Sequence, residues 1–169
     1  MNDRKRLELI VKAIRYCQHV KAMGMPAAAY SKALREPVYF LWECRDGLSK
    51  ERRPKVRSTG ALGMHCGSGV LIYDHAVPLR YLQEQLLSLS SVTTRSVRRV
   101  LDKYGIVVLI TKDEDRRLST AGFRSRMPDD WDGRDALARY KAVGIELVSN
   151  VSIAAAPERA RRIRCSRGR

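Results

Sequence analysis

Aromatic side chains are scarce in this chain: two Phe, two Trp and seven Tyr make up 7% of 169 residues. The tyrosines are dispersed, which argues against the closely set stacking platforms that read single-stranded nucleic acid. Acidic residues also fall short, with 18 Asp plus Glu against 33 Lys plus Arg and a net charge of +15. The four cysteines, Cys17, Cys44, Cys66 and Cys165, contain no C-x-x-C pair. That spacing supports neither a structural zinc site nor a dense disulfide framework, and it reads as free thiols. Long hydrophobic runs are missing too. The longest, Ile106 to Ile110, is far below the ~20 residues a membrane-spanning helix needs. The N-terminal residues Met1-Asn2-Asp3-Arg4-Lys5-Arg6 are charged and lead into an amphipathic segment, not a signal-peptide core. The expectation is a cytoplasmic protein without a membrane partner.

What the chain has in quantity is arginine, 24 of its 33 basic residues. A large positive excess repels itself in the folded state and is usually matched by a polyanion. Arginine adds a planar fork that pairs bidentately with phosphate or guanine. The excess is uneven: +7 over residues 1–90, +3 over 91–148 and +5 over 149–169. With 44% hydrophobic residues the chain can still build a real core.

Periodicity predicts an α/β or α+β fold with a helical N-terminal section, a small, mostly three-stranded sheet with flanking helices, and a basic disordered tail. The divisions are 1–45 for the helical section, 46–69 for a basic Gly-rich connector, 70–150 for the α/β core and 151–169 for the tail. Leu7, Ile10, Val11, Ile14 and Cys17 fall on one face of a helix over 4–23, closed by Gly24 and Pro26. A second helix over 27–35 is broken at Pro37, and 38–42 suits helix or strand. Residues 45–69, with Pro54 and, after it, Gly60, Gly63, Gly67 and Gly69, read as a loop or linker. Strands are expected near 70–73, 106–110 and 145–148. Helices are expected at 78–90, at 94–104 between a Thr93 or Thr94 cap and Gly105, after Thr111, and over 134–143. Because helices separate the strands, the sheet is expected to be parallel.

Several basic groups are candidates for phosphate contact. Arg52, Arg53, Lys55 and Arg57 lie in the connector. Arg95, Arg98 and Arg99 are spaced to project from one helix face, and Arg161, Arg162 and Arg164 lie in the tail. Arginine-rich segments of this sort often order on nucleic acid.

One short string carries possible chemistry, Tyr73-Asp74-His75-Ala76-Val77-Pro78, between an expected strand and an expected helix. Its D-H-x-x-P pattern resembles the first half of the HNH nuclease motif over about five residues. The resemblance implies His75 as general base and Asp74 as a ligand of Mg²⁺ or Mn²⁺. The downstream Asn and second His of that motif have no counterpart here. Read from the residues alone, imidazole can activate water near neutral pH, and Mg²⁺ takes oxygen ligands. The pair equally suits plain capping of the helix that follows. His65, in the glycine-rich stretch, joins Asp74 and His75 if that stretch folds back. The Asp129, Asp130, Asp132 and Asp135 cluster is read as a helix cap with ion pairs to Arg124, Arg126 and Arg139.

Three functions follow in order. The first is a nucleic-acid-binding protein, for DNA or RNA, that grips phosphates through arginine-rich segments. The second is a metal-dependent nuclease using Asp74 and His75. The third is a non-enzymatic basic adaptor or inhibitor, of mobile-element or defence-system type, that takes an acidic protein partner. No cofactor is implied beyond Mg²⁺ or Mn²⁺ in the nuclease case.

Overall fold

The apolar stripe at the N-terminus is spaced for a helix, and it forms one. In the computed structural model, which describes residues 1–64 and 69–149, helix α1 spans Asp3–Ala22 and buries Leu7, Ile10, Val11, Ile14 and Cys17. Asn2 caps it by accepting from the Lys5 amide at 3.0 Å. A short 3₁₀ turn, Ala27–Ala29, leads into α2, Ser31–Pro37. Pro37 does not break the chain as the sequence suggests. It ends α2, and the backbone continues in a wider π register over Val38–Glu43, where the Cys44 amide reaches the Tyr39 carbonyl at 3.0 Å. A proline has no N–H to give to the usual helical partner, and widening the register lets the chain go on. The turn buries both Trp42 and Glu43.

The fold is mixed α/β with a four-stranded sheet, one strand more than the sequence predicts. The added strand β1, Val56–Ser58, comes from the stretch read as a loop or linker. A 3₁₀ turn, Thr59–Ala61, follows it. The chain then adds β2 (Leu71–His75), α3 (Leu79–Leu87), α4 (Thr94–Tyr104), β3 (Val107–Thr111), α5 (Lys112–Thr120), α6 (Ala138–Ala142) and β4 (Leu147–Ser149). Strand order is β2-β3-β1-β4. Only β1 and β3 run parallel; β2 lies antiparallel to β3, and β4 antiparallel to β1. The expected parallel sheet is therefore a mixed one. Intervening helices permit parallel pairing without requiring it, since α3 and α4 together return the chain to the end where β2 stopped.

Two apolar clusters hold these pieces. The larger joins α1, α2, α3 and α4 through Ile10, Ile14, Leu34, Val38, Leu82, Leu86, Val97 and Leu101. The smaller packs Val108, Ile110 and Ile72 of the sheet against Leu118, Tyr140 and Ile145. Helix α4 begins with the expected Thr93 cap, completed by Ser96 into a capping box. It ends at Gly105 as expected, with an ordinary negative φ of −81°. Glycine is needed there because a Cβ would sit 2.6 Å from the Leu101 carbonyl oxygen. Helix α6 is shorter than the 134–143 segment predicted, since Asp132 and Asp135 turn the backbone by accepting from the Arg134 and Leu137 amides.

β1 is fastened by one buried carboxylate. Ser58 Oγ donates to Glu114 Oε2 at 2.5 Å and accepts from the Ala61 amide at 3.1 Å. The same Glu114 oxygen accepts from the Thr111 amide at 2.8 Å and the Thr111 hydroxyl at 3.1 Å, closing the capping box of α5. Gly60 gives this carboxylate room, because a Cβ there would lie 2.8 Å from Glu114 Oε1. Removing a buried partner leaves its mates unsatisfied at a cost of about 1–3 kcal/mol. Ser58→Ala is expected to lower the urea unfolding free energy by that amount, and an unchanged midpoint would show that Glu114 does not depend on β1.

Candidate functional site

A β-strand sends successive side chains to opposite faces, and β2 places polar groups on both. Tyr73 and His75 point one way, and Asp74 points the other. The sequence pair Asp74-His75 is thus divided by the sheet, and the structure does not bring the two side chains together.

On Asp74's side lies Arg139 of α6, which is 1% exposed. Its guanidinium donates from Nε to the Ala76 carbonyl at 2.9 Å and from one terminal nitrogen to the Phe123 carbonyl at 2.8 Å. The other terminal nitrogen donates to Asp74 and to the His75 carbonyl. Tyr140 Oη donates to the same Asp74 oxygen at 2.7 Å. Burial works against the charge of Arg139, but the Asp74 carboxylate and Tyr140 outweigh it and raise its pKa. Burial, reinforced by Asp74, also holds the Tyr140 phenol well above the usual tyrosine range.

This geometry bears on two readings of the sequence. Asp74 does not cap α3, whose N-cap position is Pro78 and carries no side-chain cap hydrogen bond. A metal at Asp74 does not fit either, since the Oδ2 that would ligate it already faces a buried cation and a phenol. Among the described residues no three His, Cys, Asp or Glu side chains converge as a metal-binding group. His65 lies outside the described residues. Of the pairs expected for the aspartate cluster, Arg126–Asp129 forms at 3.5 Å, whereas Arg139 goes to Asp74 and Asp135 takes Lys141 at 2.7 Å.

On the opposite face, His75 Nε2 is 2.8 Å from Glu43 Oε1. Tyr73 Oη donates to Glu43 Oε2 at 3.3 Å. The Glu43 side chain is 3% exposed and that of His75 22%. Glu43 has no sequence signal, because it lies in an apolar helical run; the π register turns it toward β2. Arg53 completes the group. Its terminal nitrogens donate to Tyr73 Oη at 3.4 Å and the Leu48 carbonyl at 2.9 Å, and its guanidinium lies 5.7 Å from both the Tyr39 and Tyr73 rings. Burial pushes the Tyr73 phenol well above its ordinary range; the Glu43 carboxylate adds to this, and Arg53 opposes it. His75 and Glu43 open onto a cleft of about 380 Å³, also lined by Arg35, Glu36, Tyr39, Lys50 and Leu79.

Comparison with protein-family models, curated proteins and solved structures finds no match. What the chain does is read from its own residues.

The basic candidates divide by exposure. Arg53 is mostly covered and Arg57 is 6% exposed, its terminal nitrogen donating to the Ala61 carbonyl at 3.3 Å. Both serve the fold, because their places beside and within β1 put them against the sheet. Arg52 and Lys55, their neighbours, are exposed. Arg95, Arg98 and Arg99 all stand exposed on α4. Arg98 is partly engaged, 3.4 Å from Asp3 and 3.6 Å from Asp102, with its guanidinium over Trp42. Arg161, Arg162 and Arg164 lie outside the described residues.

Two measurements test these assignments. Asp74→Ala strips a buried guanidinium of its counter-charge, and losing one partner of such a pair costs about 3–5 kcal/mol. The denaturation free energy should fall by that amount, and adding Arg139→Leu should recover part of it; a deficit that deepens in the double variant contradicts the pairing. Tyr73 and Tyr140 titrate higher in the fold than the ordinary value of about 10. Their contribution to stability is complete below that pH and is lost as pH rises through the folded values. Urea midpoints should therefore hold steady up to about pH 10 and drop beyond it, while a flat profile to pH 12 counts against both phenols.

Proposed function

We propose that the chain binds nucleic acid through a basic groove between α1 and the start of α4. The observation that carries this reading is a groove of about 500 Å³ lined by Lys5, Glu8, Lys12, Arg15, Thr93 and Thr94 together with Leu9, Val11 and Val92. Lys5 and Lys12 stand two helical turns apart on one face of α1. Arg95 and Arg99 follow Thr94 on α4 and stand exposed. Among the described residues Lys5, Lys12, Arg95 and Arg99 make no ion pair. Glu8, the acid in the groove, is already taken by Arg4 at 3.1 Å.

Unpaired cations held on rigid helices, with hydroxyls between them, suit a row of phosphates. They neutralise the backbone and release its counterions, which supplies affinity without reading sequence. Arg52 and Lys55 offer a second exposed contact. The mean spacing of charge on a nucleic acid favours such a face over a protein partner, whose acidic groups are rarely so dense.

The test is a salt titration of binding to duplex DNA and to RNA. Affinity should fall steeply with salt, and the quadruple variant Lys5→Ala, Lys12→Ala, Arg95→Ala, Arg99→Ala should flatten the duplex slope by about 3–4. Absence of binding, or binding indifferent to salt, points instead to an adaptor for an acidic protein, which would then be sought by co-purification.

A further inference from the structure

The cleft at His75 has features that phosphate binding alone does not use. Its imidazole is held at Nε2 by Glu43, while Nδ1 has no hydrogen-bond partner among the described residues. Both Glu43 oxygens are engaged: Oε2 accepts from Tyr73 Oη at 3.3 Å, and Oε1 lies 2.8 Å from His75 Nε2. With Glu43 as a carboxylate, a neutral histidine that donates to it from Nε2 presents the Nδ1 lone pair. This is the arrangement of an oriented general base, with a buried acid fixing the tautomer and stabilising the imidazolium that forms. The same cleft is lined by Lys50, which has no ion pair among the described residues, and by Arg35, which forms a solvent-exposed pair with Glu36.

We infer that this cleft is an acid–base site for cleaving RNA, in which His75 moves the proton and Glu43 positions His75. The inference rests on the nucleic-acid-binding reading above. RNA is the substrate class because it brings its own nucleophile, the ribose 2′-hydroxyl next to the phosphodiester. The described residues offer no cluster of metal-ligating side chains here to activate a water. In the step, Nδ1 takes the 2′-hydroxyl proton as the 2′ oxygen forms its bond to phosphorus. The bond from phosphorus to O5′ breaks, and its electron pair leaves with O5′. The imidazolium returns the proton to O5′ through a water, so the step is proton-neutral and yields a 2′,3′-cyclic phosphate and a 5′-hydroxyl. Lys50 and Arg35 face the charge that gathers on the phosphorane oxygens. Asp74, turned to the other face and bound by Arg139, has no part.

The experiment uses the full chain, a labelled single-stranded RNA, the same RNA with 2′-O-methyl riboses, and a DNA strand of the same sequence, all in excess EDTA. Binding and cleavage are measured on the same samples. The expected result is cleavage of the unmodified RNA alone, leaving cyclic phosphate ends. His75→Ala should cut at least about 100-fold more slowly with unchanged RNA affinity. Glu43→Gln should lower kcat about 10-fold or more and leave KM near its original value, the mark of a positioning role. His75→Gln, with the polarity kept, serves if His75→Ala does not fold, as judged by its melting curve. RNA bound but uncut overturns this inference and leaves the binding reading standing. Cleavage of the 2′-O-methyl or DNA strand, or full activity in the folded His75 variants, overturns it as well. Absence of RNA binding removes both.

Discussion

Arg139 places a full positive charge where almost no solvent reaches it, and groups from both halves of the chain converge to satisfy it. Its donors reach the Ala76, Phe123 and His75 carbonyls and the Asp74 carboxylate. One side chain thus ties the end of β2, the segment after α5 and α6 itself into a single unit. A guanidinium suits this because its fork is planar and rigid, so several acceptors can be met at once. Burying such a group is tolerable only when it is paired and hydrogen-bonded. Asp74, Tyr140 and the three carbonyls meet that condition.

The consequence for function runs through the alternation of β2. Because Asp74 is turned to Arg139, its neighbour His75 is turned to the helical section, where Glu43 waits on the π turn. Had the two side chains shared a face, they would make an aspartate-histidine pair of the kind a metal can use. Separated, they serve two different networks, one holding the fold and one facing a cleft. Tyr73 belongs to the second network, and Arg53 donates to its hydroxyl. The junction of helical section and sheet is therefore polar where β2 meets the π turn, while apolar packing lies in the clusters on either side of it.

Much of this fold was legible in the residues. The stripes of α1, α3 and α4, the β-branched run of β3 and the Thr93 and Thr111 caps all rest on local periodicity and capping chemistry, which act within a few residues. β1 was not legible. It has three residues, two of them polar, and it sits in a basic run; its burial comes from neighbours distant in the chain. The continuation past Pro37 and the mixed sheet were hidden for the same reason, since register and strand direction are set by what packs against them. At the candidate site His75 could be singled out from a six-residue string. Glu43, 32 positions earlier, carried no mark in the sequence.

Charge shows the division most plainly. The sequence alone determined that the chain carries a net +15, that arginine carries most of it, and that helices alternate with short strands around a real core. Composition and periodicity are properties of the chain itself, so no packing is needed to read them. Only tertiary structure decided which arginines are spent inside. Arg53, Arg57 and Arg139 are drawn in by buried acceptors and rings, while Lys5, Lys12, Arg95 and Arg99 are left facing solvent. That selection depends on desolvation, which each position acquires only when distant segments close around it.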